Sequence, residues 1–221
     1  SRERQDSWAA RSHQRAAQAW SAGFFDDYVV PVEGTELTID ESIRPGTSVE
    51  KLSTLRPVFR PDGTITAGNA SPLNDGASAV LIGDEQAAPR LGLEPLARIA
   101  GRGVAATDPQ MFGYAPVAAA ERALRRAGIT WDDIGVVELN EAFAVQTIAC
   151  VDAWGIDPDI VNVRGGAIAI GHPLGASGAR VVGTLVHVLR ERQQRWGLAA
   201  ICIGVGQALA VVLENVSGDY R

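Results

Sequence analysis

The 221 residues lack most of the signatures that would assign a chain to a compartment or a cofactor class. Two cysteines, Cys150 and Cys202, are too few for a disulfide framework, so a reducing compartment is the default. No apolar run approaches the roughly 18 residues of a membrane-spanning helix. Neither a CxxC pair nor two histidines at helical spacing is present, which argues against a zinc site, and "GASGAR" lacks the Lys-Ser/Thr ending of a phosphate-binding loop. Lysine is almost absent: of 20 basic residues only Lys51 is one, read as a coding bias toward arginine rather than a phosphate signal. The net charge of −6 excludes a general attraction to nucleic acid or to an anionic membrane. The opening "SRERQDSWAARSHQRAAQAW" has no initiator methionine and no apolar core of a signal peptide. It reads as a helix from residue 2, in a chain that has lost its natural start or is one piece of something longer.

What is present is an alternation of elements. Residues 2–21 form an amphipathic helix with Trp8, Ala9, Ser12, Ala16, Ala19 and Trp20 at helical spacing. "FFDDYVVPVEG" reads as a short strand ending at Pro31, and residues 35–73, with "IRPGTS" and "RPDGTITAGNASP", as turn-rich loop. "GASAVLIGD" from residue 76 reads as a buried strand and 84–91 as a short helix. Strands at 95–106, 134–139 and 160–163 are each followed by a helix, at 115–127, 141–153 and 175–192. Two apolar strands, "LAAICIG" and "GQALAVVLE", close the chain as a hairpin around Gly204–Gly206. The βαβαβαββ order predicts an α/β fold with a mixed five-stranded sheet covered by helices. Ligands in such sheets bind where strands end. The loops "LNEAF", "RGGAIAIGHP" and "CIGVG" fall at comparable positions, so Asn140, His172 and Cys202 are expected to meet at one edge.

Each of these residues also has an ordinary reading. Cys202 in an apolar strand is a core residue unless the glycine-rich turn after it leaves it exposed and able to form a thiolate. Cys150 on its helix is a core residue as well. His172 sits between Gly171 and Pro173, and is either a solvated loop histidine or one held rigidly enough to exchange a proton near neutral pH. Asn140 suits a helix N-cap. His13 and His187 lie within helices as surface or packing residues. The four glycines at 165, 166, 171 and 175 exceed what a structural loop needs and imply that something approaches the backbone closely.

Four segments taken together resemble the thiolase family: "TAGNASPLNDGA" (66–77), "NEAFAVQ" (140–146), "NVRGGAIAIGHPLGASGAR" (162–180) and "CIGVGQALA" (202–210). The opening helix "RQDSWAARSHQRAAQA" resembles a helix of the same family. The resemblance spans essentially the whole chain in the family's order. It implies a thiolase-like fold and a thiolytic cleavage of 3-ketoacyl-CoA, or the reverse Claisen condensation. It assigns His172 to activation of a nucleophilic cysteine. Asn140 joins His172 through a water in polarising a thioester oxygen. Cys202 becomes the acid/base, and the main-chain N–H of Gly204 part of a second oxyanion hole. Such chemistry needs a nucleophile, a base for a Cα proton and two oxyanion sites, and a neighbouring imidazole is expected to lower the base cysteine. The glycines are then required because a thin pantetheine arm passes close to the main chain.

The same resemblance places Arg44 near the adenine and phosphates of coenzyme A, and Ala67, Ser71 and Phe143 along the pantetheine arm. A solvated loop arginine is the alternative for Arg44. No covalent cofactor and no metal is implied, and coenzyme A or acyl-CoA is substrate. The family's nucleophilic cysteine has no counterpart here, since Cys150 does not match it. The chain is therefore expected to be the C-terminal portion of a thiolase, inactive alone. Residues 1–73 are the rear of the CoA-binding loop domain, 74–93 the last strand and helix of the N-terminal repeat, and 94–221 the C-terminal domain. A homodimer or homotetramer in the cytoplasm, without nucleic-acid or membrane partners, is expected of the intact enzyme. Arg164 stands where the family usually has Asn, and Val205, β-branched, suits a left-handed turn badly. A non-catalytic CoA-binding subunit and another condensing enzyme of the superfamily stay open as alternatives, as does the acyl chain.

Overall fold

The computed structural model describes residues 1–217. The elements run in this order: helices α1 (Arg2–Ser21), α2 (Val49–Ser53) and α3 (Ala87–Leu91), strand β1 (Ala97–Ala106), helix α4 (Ala115–Ala127), strand β2 (Ile134–Leu139), helices α5 (Ala144–Trp154), α6 (Ala167–Ile170) and α7 (Leu174–Glu191), and strands β3 (Trp196–Ile203) and β4 (Gln207–Asn215). They divide into two compact units. One comprises residues 1–74, 141–148 and 162–172, and the other 75–140, 149–161 and 173 onward.

The first unit is built on α1. Ser1 caps it by accepting from the Arg4 N–H at 3.3 Å, and it stops at Gly23, which takes a φ of 73°. Its buried residues include polar ones, Asp6 and Ser12 among them, so this helix does more than present an apolar stripe. Asp6 accepts from Arg2 Nε at 2.7 Å and from Asn69 Nδ2 at 2.9 Å. Asn69 Oδ1 in turn accepts from the Thr66 N–H at 2.9 Å, which fastens the 64–71 turn to the helix.

The second unit holds the sheet, in the order β1-β4-β3-β2. β2 and β3 are parallel, whereas β4 is antiparallel to both of its neighbours, β3 and β1. The last two strands form the hairpin that the sequence predicts. α4 opens with Pro116 in its first turn and ends at Gly128 with a φ of 74°. It buries the small residues Ala119, Ala120 and Ala123. That face lies so close to β1 that a Cβ on Gly103 would stand 1.8 Å from the Ala119 carbonyl oxygen, and one on Gly101 2.2 Å from that of Ala123. Arg126, in the last turn of α4, donates to the Arg102 carbonyl at 2.7 Å. α7 lays Leu185 and Leu189 against Gly197 of β3.

Several sequence expectations are corrected. Among the described residues the sheet has four strands, not five: the segment expected as a strand at 160–163 makes a single parallel bridge, Val161 to Val137, before Asn162 turns the chain with a φ of 49°. "FFDDYVVPVEG" forms turns, with Val30 79% exposed. "GASAVLIGD" forms no strand, and Val80, Leu81 and Ile82 are exposed. Both runs carry strand-forming side chains, but a strand exists only where a neighbour takes its main-chain groups. Neither run enters a ladder among the described residues. α5 starts at Ala144 rather than 141, because the preceding residues are committed elsewhere. Phe143 bridges Ala70, the Ala142 carbonyl accepts from the Ser71 N–H at 3.1 Å, and the Ala144 N–H is donated to Asn69 at 2.9 Å.

Candidate active site

In the sheet unit, Asn140 follows the last residue of β2. Its N–H continues the ladder onto the Ala200 carbonyl at 3.0 Å, and with Leu139 opposite Ala200, Cys202 lies just beyond Asn140's level on the adjacent strand. The late start of α5 removes the N-cap reading of Asn140. Its side chain is 1% exposed, and neither Oδ1 nor Nδ2 has a hydrogen-bond partner among the described residues. A buried primary amide left with all its capacity is costly, about 1–3 kcal/mol per unmade group, and such groups concentrate where function requires them.

Cys202 pairs with Ala208 on β4, which pairs in turn with Ala105 on β1, so its strand neighbours on that face are small. The sulfur is not left exposed by the turn that follows: the residue is 8% accessible. Burial pushes the thiol above its ordinary value, with a main-chain hydrogen bond pulling the other way. The lowering expected from the sequence is therefore reversed, and the neutral thiol is the resting form. The hairpin closes through Gly204, Val205 and Gly206. Gly204 is exposed with open space around it, while Val205 adopts a φ of 66° in spite of its branched side chain. A β-branched residue held there is strained by about 1–3 kcal/mol. The left-handed turn is thus kept, contrary to the expectation that valine would alter it. The Gly206 carbonyl accepts from the Thr107 N–H at 2.8 Å, and a Cβ on Gly206 would lie 2.3 Å from the Thr107 carbonyl, which fixes the turn from below.

In the helical unit, His172 is half-buried at the end of the glycine loop, where its N–H is donated to the Pro72 carbonyl at 3.4 Å. Ser71, one residue earlier on that strap, donates its Oγ–H to the Ala142 carbonyl at 3.2 Å, beside Phe143. The 69–72 segment therefore brings Ser71, Phe143 and His172 onto neighbouring stretches of chain. The Phe143 ring meets Phe59 edge-on at 6.0 Å, and Phe59, 67% exposed, is an aromatic contact that sequence reading missed. Ala67 is exposed at the tip of the same turn. Asn74 was also missed: its Nδ2 donates to Ser42 at 2.8 Å, and its buried Oδ1 has no partner among the described residues.

The glycines of the loop have another explanation than the one expected. A Cβ on Gly171, whose φ is 80°, would lie 2.1 Å from Asn74 Oδ1. On Gly165, also at 80°, it would lie 2.6 Å from the Ser12 carbonyl, and on Gly166 2.4 Å from the Glu141 carboxyl carbon. The atoms approaching these three are the chain's own. Of the four, only Gly175 faces open space. Arg164, the departure from the family's usual asparagine, lies over the Phe24 ring at 4.9 Å, an attraction between cation and aromatic face.

Arg44 is exposed, and its N–H is donated to His13 Nδ1 at 3.2 Å. Burial lowers His13 to about 4, and the Arg44 charge acts in the same direction. A proton on Nδ1 would break the bond. The unfolded chain, titrating near 6.5, takes up that proton first, so stability is full above about pH 6.5 and is lost as pH falls toward 4. Discounted for solvent screening, the loss is about 1–2 kcal/mol. Urea midpoints measured from pH 7 to pH 4.5 are expected to drop more in the wild-type chain than in His13→Gln. Equal slopes would contradict the neutral, buried imidazole.

Among the described residues no group of three or more His, Cys, Asp or Glu could hold a metal ion, and no helix is long and apolar enough to cross a membrane. Residues 1–86 match the family described as thiolase, N-terminal domain, and residues 93–215 the family described as thiolase, C-terminal domain. The chain belongs to the thiolase family. This thiolase chain is 50% identical over 226 aligned residues to a 3-ketoacyl-CoA thiolase of Vibrio parahaemolyticus, covering 97% of the chain and 58% of that relative. It is 47% identical to the Escherichia coli O1:K1 / APEC enzyme of the same name, over 98% of the chain and 59% of the relative. A crystal structure of human mitochondrial 3-ketoacyl-CoA thiolase in complex with CoA matches at a TM-score of 0.91 and 43% identity, over 98% of the thiolase chain and 55% of that structure. The thiolase chain thus spans somewhat under three-fifths of the length of these relatives.

Proposed function

We propose that this chain supplies the acid/base and oxyanion half of a thiolase site, which cleaves 3-ketoacyl-CoA with coenzyme A or runs the reverse condensation. The observation that carries the reading is the pairing of an orphaned, buried Asn140 amide with a buried neutral Cys202 thiol at the same end of two adjacent parallel strands. In cleavage, a thiolate adds to the 3-keto carbon, the C2–C3 bond breaks, and its electron pair passes to C2 as the enolate of a thioester. The Cys202 thiol gives its proton to C2, a role that suits a thiol held neutral by burial. The resulting thiolate takes the proton of incoming coenzyme A as that thiol attacks the acyl-enzyme. His172 activates the nucleophile and, with Asn140, polarises the thioester oxygen. The Gly204 N–H, on an exposed turn, stabilises the other oxyanion.

Coenzyme A itself is held by Arg44 at its adenine and phosphates and by Ala67, Ser71 and Phe143 along the pantetheine arm. In this reading residues 1–73 belong to the CoA-binding loop domain, 74–93 end the N-terminal repeat, and 94–221 form the C-terminal domain. The nucleophilic cysteine lies outside these residues, and the working enzyme is a cytoplasmic assembly of two or four copies. The test is a thiolysis assay with a 3-ketoacyl-CoA and coenzyme A. The 221-residue chain alone is expected to show no turnover. Joined to the N-terminal segment of the Vibrio parahaemolyticus enzyme that precedes the matched region, it is expected to cleave. Turnover by the chain alone contradicts the missing nucleophile. A folded joined protein that binds coenzyme A without turnover favours a non-catalytic CoA-binding subunit.

A further inference from the structure

The Glu141 carboxylate is buried, 1% exposed, and accepts hydrogen bonds from three separate stretches of the helical unit. Oε1 accepts from Trp8 Nε1 at 2.8 Å and from Asn162 Nδ2 at 2.9 Å. Oε2 accepts from Ser12 Oγ at 2.7 Å and from the Ile168 N–H at 3.1 Å. Ser12 Oγ also accepts from the Gly166 N–H at 3.0 Å, so the main-chain donors of Gly166 and Ile168, where α6 begins, both end on this one cluster. We infer that Glu141 is a positioning residue: it sets the register of the glycine loop against α1 and thereby the place of His172. The inference rests on the reading of His172 as a catalytic group.

The geometry supports a positioning role rather than bulk packing. A carboxylate offers about four acceptor directions, and here four donors take them, from a helix side, a turn and a loop main chain. Each donor comes from an element that could otherwise slide. Asn162 stands at a φ of 49°, a conformation asparagine tolerates better than most residues, and its amide is turned toward the carboxylate. Gly166 has no side chain because the carboxyl group occupies that space. From Ile168 the single turn of α6 carries the chain four residues to His172, whose far side is pinned by Pro72 and by Gly171 against Asn74. With one end fixed by that strap, the position of the imidazole is decided by where Glu141 holds the other. An apolar group of equal volume could fill the space but would specify no register.

Glu141→Gln keeps the shape and turns one acceptor into a donor that faces a donor. A misplacement on the order of 1 Å at a catalytic group lowers kcat by about 10²-fold. In the joined enzyme Glu141→Gln is expected to lose that factor in kcat, with the KM for coenzyme A unchanged. In the 221-residue chain, without any turnover, the His172 Cε1–H resonance is expected to shift while that of His187 stays. Leu189→Ala, a core variant on α7 of comparable destabilisation, is the control and leaves the His172 resonance in place. If Glu141→Gln does not fold, Ser12→Ala removes one link between the carboxylate and the loop and is expected to move the same resonance by less. An unshifted His172 signal in a folded Glu141→Gln or Ser12→Ala protein overturns the inference, as does an equal shift in Leu189→Ala. A shifted signal with unchanged kcat in the joined enzyme upholds the positioning and instead overturns the catalytic reading of His172.

Discussion

Replacing His172 by alanine and Cys202 by serine in the joined enzyme is expected to lower the thiolysis rate by about 10²–10⁴-fold each, at different steps. In the proposed reading His172 activates the nucleophile and shares one oxyanion site, so its loss is expected to stop acylation itself. In the same reading Cys202 enters cleavage as the proton donor to C2, and then as the base for incoming coenzyme A. A serine hydroxyl is a far weaker acid than a thiol, even one whose pKa burial has raised, so it neither gives up its proton to C2 nor stands ionised as a base. Run from acetyl-CoA, where acylation needs no carbon protonation, the Cys202→Ser enzyme is expected to form the acyl-enzyme and stall. The His172→Ala enzyme is expected to remain unacylated. Mass spectrometry of the quenched proteins distinguishes them. Acylation of His172→Ala together with failure of Cys202→Ser would show the two roles reversed.

Gly103→Ala is expected to destabilise the chain by about 3 kcal/mol, near the upper end for overpacking, because the added methyl meets a helix main chain and not a pliable side chain. The Ala119 carbonyl oxygen stands 1.8 Å from the new Cβ, so α4 has to lift from β1 and give up the packing of Ala119 and Ala123. That is a large share of the 5–15 kcal/mol typical of a folded domain. Gly183→Ala makes the contrast: α7 has open space there, and helix propensity alone is expected to stabilise by about 1 kcal/mol. Urea denaturation of the two variants is therefore expected to move the midpoint in opposite directions. A Gly103→Ala midpoint equal to the wild type would contradict the close contact.

Local signals carried much of the fold. The limits of α1, α4 and β2 follow from helical spacing, from Pro116 and Gly128, and from the apolar run "IGVVEL". What failed needed knowledge of neighbours. Val80, Leu81 and Ile82 have strand-forming side chains, yet a ladder is a property of two segments, and one segment's composition cannot supply the other. Ala142 and Phe143 look helical but are held by the 69–71 strap, a contact across some seventy residues. The glycine loop shows the same limit at the site. Its composition signalled close approach correctly, but not that the approaching atoms belong to Ser12, Glu141 and Asn74. Cys202 is buried, as its ordinary reading as a core residue had it, but the catalytic reading leaned on the turn after it and not on the alanines beside it, so the direction of its shift was missed. Glu141 was visible only as part of "NEAF"; that four donors meet on it is a fact of three dimensions.

The proposed function requires that Asn140, His172 and Cys202 serve one thioester. The most direct test is the distance from the His172 imidazole to the Cys202 sulfur in a crystal of the chain soaked with an acyl-CoA. The account predicts all three residues around the thioester, with that distance within about 12 Å, a few times hydrogen-bond reach. His172 and Cys202 farther apart than this, on opposite faces of the sheet and with the acyl-CoA at neither, would contradict it.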